Sequence, residues 1–260
     1  MKVDGKVAIV TGGGGGIGGA LVGELTTHGA RVLVADLDAA RAQAVADKFN
    51  SARPGAAVAA GADVSDTTAI RSLISLAERD FGPVDMYFAN AGVLGTPGLE
   101  ASDADWDRAI DVNLRAHIRA AQLLIPGWVE RGEGCFVSTA SAAGLLTQIG
   151  GATYAVTKHA AVGFAEWLSI TYGDLGIRVS CLCPMGVNTE LLYGGESSGH
   201  PLGVAATRAV TSAGAVLEPA EVTARVAATP RGSPDFSPAY SSSVFTPIGH
   251  RQLTRTPWSP

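Results

Sequence analysis

Cysteine is scarce in this chain: three in 260 residues, Cys135, Cys181 and Cys183. An odd count with no secretion signal argues against a disulfide framework and for reduced thiols in a cytosol. Cys181 and Cys183 are expected on one face of a strand. No group of His and Cys has ligand spacing, so no metal is expected. Cationic residues are outnumbered, 19 Lys and Arg against 24 Asp and Glu, a net charge of −5. With no basic stripe, a nucleic-acid partner is not expected. No apolar run reaches the ~18 residues of a membrane span. Met1-Lys2-Val3-Asp4 leads directly into a strand-like run, without a signal-peptide pattern. The expected location is the cytoplasm, with no membrane partner.

What is present is hydrophobic residues at 47% and a βα rhythm. Strand-like apolar runs cover Lys6–Thr11, Arg31–Ala35 (ending at Asp36), Ala56–Ala60, Val84–Ala89, Gly134–Thr139 and Ile177–Cys183. Helical patterns fall between them: Ala20–His28, Ala39–Asn50 and Asp66–Asp80, the last with Ser65 or Asp66 as N-cap. A long helix is expected over Ser102–Ile125, stopped by Pro126-Gly127, and another over Ala152–Tyr172. Continuous apolar strands alternating with helices predict an α/β protein, a parallel sheet covered by helices on both faces. No linker divides residues 1–228, which read as one domain. Residues 229–260, rich in Pro, Ser, Thr and Arg, read as an irregular tail without a placeable seventh strand.

Glycines run from Gly12 to Gly16, with Gly18 and Gly19 beyond, between the first strand and first helix. Glycine permits a tight turn and close approach of a ligand to the backbone. The helix N-terminus beyond it suits a pyrophosphate. Gly12, Gly15, Gly16, Ile17 and Gly18 are therefore candidate cofactor contacts. Asp36 ends the second strand about twenty residues on, with Leu37 beside it. A carboxylate there accepts from adenosine ribose hydroxyls and repels a 2′-phosphate. With no Arg or Lys directly after it, the expected cofactor is NAD rather than NADP.

Tyr154 and Lys158 stand four apart in a helix and so share a face. A free phenol, with a pKa near ~10, exchanges protons poorly at neutral pH. A neighbouring ammonium lowers that pKa, making the pair a candidate acid/base for an alcohol or ketone. Ser141, thirteen residues earlier, is placed to hydrogen-bond the same substrate oxygen.

Thr11-Gly12-x-x-x-Gly16-x-Gly18, Asp63-Val64, Asn90-Ala91-Gly92, Asn113, Ser141 and Tyr154-x-x-x-Lys158 stand in the order and near the spacing of one family. Over roughly residues 5–190 the chain resembles the short-chain dehydrogenase/reductases. The resemblance implies a single Rossmann-like, doubly wound domain. It implies Tyr154 as catalytic acid/base and Lys158 as the residue that lowers the phenol's pKa and bonds the nicotinamide ribose. It casts Ser141 as the polariser of the substrate oxygen and Asn113 as the holder of a relay water. Asp63 and Val64 are implied at the adenine, Asn90, Ala91 and Gly92 beside the adenine ribose, and Val187 and Thr189 at the nicotinamide amide. A homodimer or homotetramer is expected.

Two departures stand out. Met185 takes a family glycine position, with Gly186 offered as the displaced turn residue, and the family's C-terminal strand is missing. The pocket is expected between Val93–Thr96, Ala142–Gly151 and a substrate loop over about residues 190–216, with Gly194–Gly199 as a lid hinge. Its apolar side chains favour a hydrophobic secondary alcohol or its ketone. The alternatives are a ketoacyl-thioester reductase, a non-catalytic dinucleotide-binding protein and a methyltransferase. The last gives no reason for the Tyr154–Lys158 pair.

Overall fold

The computed structural model describes residues 2–227 and 245–246. Six parallel strands form its sheet: β1 (Val7–Thr11), β2 (Arg31–Asp36), β3 (Ala57–Gly61), β4 (Met86–Ala89), β5 (Gly134–Thr139) and β6 (Ile177–Leu182). A two-residue β7 (Phe245–Thr246) lies antiparallel against Leu182 and Cys181 of β6. The region in which no seventh strand is placeable from sequence thus contributes a two-residue pairing, too short to carry a periodicity.

The strand order is β3-β2-β1-β4-β5-β6-β7. The winding reverses between β1 and β4, and in an open α/β sheet ligands bind beyond the strand C-termini at that point. Along β1, Val7 and Ile9 belong to one core and Ala8 and Val10 to the other. Both faces are apolar because both are covered, and the continuous hydrophobic runs follow from that.

On one face pack α1 (Gly16–Thr27) and α2 (Ala39–Ala52). On the other pack α3 (Thr67–Phe81), α5 (Ala116–Arg131) and the long α7 (Ala152–Tyr172), with α4 (Asp103–Ile110) lying against α7 and the four-residue α6 (Ala143–Leu146) preceding it. Asp38 caps α2 and Asp66 caps α3 through backbone N–H groups. Beyond β6 follow α8 (Glu190–Ser197), α9 (Pro201–Ser212) and α10 (Pro219–Ala227).

The helix expected over Ser102–Ile125 is different in two ways. It is interrupted by a π segment at Asp111–Arg115, and it runs through Pro126 to Arg131. A proline inside a helix costs roughly 3 kcal/mol. Here Leu124, Ile125 and Trp128 are buried on either side of it, and the Trp128 indole donates to the Val84 carbonyl at 2.7 Å. The stop is Gly132, left-handed at φ 68°.

The expected hinge at Gly194–Gly199 is also corrected: Gly194 to Ser197 are helical, inside α8. A Cβ on Gly195 would lie 2.8 Å from the Gly203 carbonyl oxygen, and one on Gly203 2.5 Å from that of Gly195. These glycines let α8 and α9 touch backbone to backbone. Gly186 likewise is not a left-handed turn residue. It leaves room beside Val210 and accepts from Leu217, and Met185 keeps an ordinary backbone.

Candidate active site

The glycine loop between β1 and α1 forms one wall of a cavity of about 1040 Å³ at the strand C-termini. Gly12 and Gly16 are left-handed, at φ 62° and 51°. A Cβ on Gly12 would lie 2.9 Å from the Ala91 Cα, and one on Gly18 2.0 Å from the Gly12 carbonyl oxygen. Larger residues would fill this cradle. Helix α1 has no side-chain cap and no acid in its first turn. Its positive end is left for an outside anion, so the loop fits a dinucleotide pyrophosphate.

Asp36 shapes the loop as well as facing the cavity. It accepts from Gly14 N–H at 2.9 Å and from Asp38 N–H at 3.1 Å. Asn90 closes the opposite side, its amide donating to the carbonyls of Thr11 and Gly12 at 3.0 and 3.3 Å. The Thr11 hydroxyl accepts from the backbone N–H groups of Asn90 and Ala91. Residues at the ends of two strands are thereby tied across the switch point.

Deeper in, α7 delivers Tyr154 and Lys158, and the end of β5 delivers Ser141. All three are buried. The Lys158 ammonium lies 5.6 Å from the centre of the Tyr154 ring and donates to the Thr139 carbonyl at 2.9 Å. Burial pushes its pKa down to about 8. The Tyr154 phenol is raised by burial, opposed by its hydrogen bond with the Ser141 hydroxyl. This differs from the expectation of a phenol lowered by Lys158: loss of water on burial outweighs the Ser141 hydrogen bond.

Asn113 sits in the π segment, wholly buried. Its carbonyl accepts from Val93 N–H at 2.9 Å, and its amide donates to the Val93 carbonyl at 2.9 Å and the Thr157 hydroxyl at 3.0 Å. Both amide N–H groups are used by protein, and the side-chain oxygen accepts from Val93. The side chain fixes the chain after Gly92. A Cβ on Gly92 would lie 3.2 Å from Asn113 Oδ1 and 3.3 Å from Lys158 Nζ, so a side chain there would crowd both.

Most of the sequence candidates meet in this one cavity. Gly12, Gly15, Gly16 and Ile17 line it from the loop, with Asp36, Asn90, Ala91 and Gly92 alongside. Val187 and Thr189 line it from beyond β6, near Ser141, Tyr154 and Lys158. Others lie outside its lining. Gly18 packs on Gly12, Leu37 is exposed, Val64 is in the core, and Asp63 is held below its ordinary pKa by the Ser65 hydroxyl first and the Ser65 N–H, at 2.9 Å, second.

Sequence reasoning missed Arg41. Its guanidinium reaches over the loop, with one nitrogen 2.9 Å from where a Gly15 Cβ would be. It donates to both Glu190 carboxylate oxygens, at 2.9 and 3.2 Å. The pair spans from α2 to the start of α8. A distance of 149 residues along the chain leaves no local signal for it.

A glycine cradle facing a helix N-terminus, joined in one cavity to a Ser–Tyr–Lys cluster, defines a nicotinamide-dinucleotide oxidoreductase of the doubly wound α/β class. The chain belongs to the short-chain dehydrogenase/reductase family: a family model described as short chain dehydrogenase matches residues 6–196. The sex determination protein tasselseed-2 of Zea mays is 36% identical over 76% of this chain, which spans 60% of that protein. Cyclohexanol dehydrogenase of Acinetobacter sp. (strain SE19) is 33% identical, covering 78% of this chain and 82% of the relative. The structure of a short chain dehydrogenase/reductase from Burkholderia phymatum in complex with NAD superposes with a TM-score of 0.78. It is 27% identical, over 88% of this chain and 87% of that one. Among the described residues, no helix is long and apolar enough to cross a membrane, and no group of His, Cys, Asp and Glu has the arrangement of a metal site.

Proposed function

We propose that the protein interconverts a hydrophobic secondary alcohol and its ketone with NAD(H). The observation that carries this reading is the convergence of Ser141, Tyr154 and Lys158 at the inner end of the cavity whose outer wall is the glycine loop. Leu94, Leu146, Ile149 and Leu191 also line it, an apolar setting that suits such a substrate.

NAD, when bound, accepts the hydride from the carbinol carbon or returns it. The chain's own groups do the rest. Gly12, Gly15 and Gly16 leave space for the pyrophosphate, and the free end of α1 binds its charge. Asp36 accepts from the adenosine ribose and disfavours a 2′-phosphate. Ser141 holds the substrate oxygen. Tyr154 takes the hydroxyl proton in oxidation and gives it back in reduction. Lys158 stabilises the deprotonated phenol, and the two titrate as a unit. Asn113 acts one step away, by holding Val93 and Thr157 in register.

Cyclohexanol dehydrogenase among the relatives and the NAD complex among the structural neighbours support the reading. A homodimer or homotetramer working in the cytoplasm completes it. The deciding experiment is a screen of cyclic and linear secondary alcohols with NAD⁺ and NADP⁺ in parallel, followed at the reduced-nicotinamide absorbance. Turnover of apolar alcohols with NAD⁺ is expected. Activity confined to thioester-borne ketones, or a preference for NADP⁺, overturns it.

A further inference from the structure

We infer that Cys181 and Cys183 form a peroxide-sensitive dithiol whose closure to a disulfide disturbs the Ser141 side of the active site. The two sulfurs lie 3.8 Å apart on the side of β6 that packs on α7. Cys181 is buried, whereas Cys183 keeps part of its surface open. That asymmetry assigns their roles: Cys183 meets the oxidant and Cys181 resolves.

The surroundings favour a thiolate at Cys183. The Cys181 thiol hydrogen-bonds its sulfur, and the nearby Ser141 backbone N–H and Lys158 ammonium also favour its negative form. These outweigh burial and the opposing Glu166 carboxylate, and hold the Cys183 thiol below its ordinary range. Cys181, donating to its neighbour and buried, is held well above. A partly exposed thiol of lowered pKa, in contact with a second thiol, is the arrangement of a redox-active pair.

The chemistry needs one oxidant, a hydroperoxide. The Cys183 thiolate attacks a peroxide oxygen. An S–O bond forms, the O–O bond breaks, and the departing hydroxide takes a proton to leave as water. Cys181 then attacks the sulfenic sulfur. The S–S bond forms, the S–O bond breaks, and a second water leaves. Two thiols are oxidised and one peroxide is reduced to two waters. A dithiol reductant reverses the change.

Closure must move the chain. Residues two apart in an extended strand have Cα atoms ~6.6 Å apart, near the ~6.8 Å upper limit for a disulfide. Cys181 is fixed in the ladder opposite Ser138, but Cys183 lies one residue past the end of β6. The free end is therefore the part drawn in. Next to Cys183, Pro184 accepts from the N–H of Ala142, the residue after Ser141, at 2.9 Å. Shifting this segment moves the serine that faces the substrate.

The test treats the reduced full-length protein with a few equivalents of hydrogen peroxide, then alkylates it. The expected product is lighter by two hydrogens before alkylation, with Cys181 and Cys183 both protected and Cys135 alkylated. Alcohol oxidation is expected to fall ~10- to 100-fold, the scale of a displaced catalytic group, and to return with dithiothreitol. Cys181→Ser is expected to trap a sulfenic acid at Cys183 that reacts with dimedone, and Cys135→Ser to behave as the wild type. Alkylation of both residues after treatment, or oxidation at Cys135 alone, overturns the site. A disulfide with an unchanged rate overturns its link to Ser141. The activity arm rests on the proposed function; the mass and alkylation arms do not. A reduced protein inactive towards every alcohol sinks that function, while those arms still decide the dithiol.

Discussion

Lys158 donates its ammonium to the carbonyl of Thr139 at 2.9 Å, while the ring of Tyr154 stands 5.6 Å away at its centre. The lysine is thus anchored to the end of β5 before it acts on the phenol. The Thr139 bond sets its position, and burial, which brings its pKa to about 8, keeps its charge close to release near neutral pH.

That displacement makes a stability prediction with a definite sign. In the unfolded chain the lysine titrates at its ordinary 10.5, and in the folded chain at about 8. Below both values the native state carries the full penalty of a buried charge. Between them the unfolded chain binds more protons, so stability rises with pH, by about 1.4 kcal/mol per unit for one group. Urea melts of wild type and Lys158→Met are expected to show the wild type gaining on the variant from pH 8 to 10.5. A constant difference across that window contradicts the depressed pKa.

Replacing Tyr154 with Phe removes one oxygen and little volume. Turnover is expected to fall at least ~100-fold, the scale of a lost acid/base group. NADH affinity, read by fluorescence titration, is expected to stay within a few-fold. A variant that keeps most of its rate removes Tyr154 from proton transfer.

Asn113→Leu leaves both backbone groups of Val93 without their partners. Each unpaired buried group costs about 1–3 kcal/mol; because Val93 is only half-buried, the two together are expected to cost roughly 2–4 kcal/mol in chemical denaturation. The rate is expected to fall too, because the segment after Gly92 lines the cavity. Full stability in the variant means these hydrogen bonds are replaced by water.

Thr147 is the one non-glycine residue with a positive φ among those described, at φ 77° and ψ 178°. It follows α6 in the cavity wall. A β-branched residue there stores about 1–3 kcal/mol, more than the roughly 0.5–1 kcal/mol that glycine's chain freedom costs. Thr147→Gly is expected to stabilise the protein by ~1 kcal/mol, raising its melting temperature by roughly 2–4 °C. Lower turnover is expected with it, as a wall of the pocket loosens. A lower melting temperature denies the strain.

What could be read from the sequence was whatever is written in short-range pattern. The strand-loop-helix context of Gly12–Gly18 and the four-residue step from Tyr154 to Lys158 are both local, and the cavity joins them. Pro126 misled because a local breaker was overridden by the burial of Leu124, Ile125 and Trp128. Gly194 and Gly195 misled because close helix packing and a hinge ask for the same residue. The raised phenol was hidden because desolvation depends on everything packed around Tyr154, not on its neighbour four residues on.

Arg41 and Glu190 bear on cofactor choice in a way that no nearby residue reveals. The proposed NAD preference rests on Asp36 repelling a 2′-phosphate, but the Arg41 guanidinium lies over the same loop and is the group that would attract one. Its fork is occupied by both oxygens of Glu190, whose hydrogen bonds and charge raise the Arg41 pKa. Glu190→Gln removes the charge and leaves the guanidinium free to turn towards the ribose. Use of NADP⁺ relative to NAD⁺, as the ratio of kcat/KM values, is expected to rise ~10-fold, the equivalent of about 1.4 kcal/mol. Arg41→Ala in the same background is expected to cancel that gain, because the attraction belongs to Arg41 and not to the missing carboxylate. An unchanged ratio in Glu190→Gln means that the pair serves only to hold α8 against α2, and that Asp36 alone sets the preference.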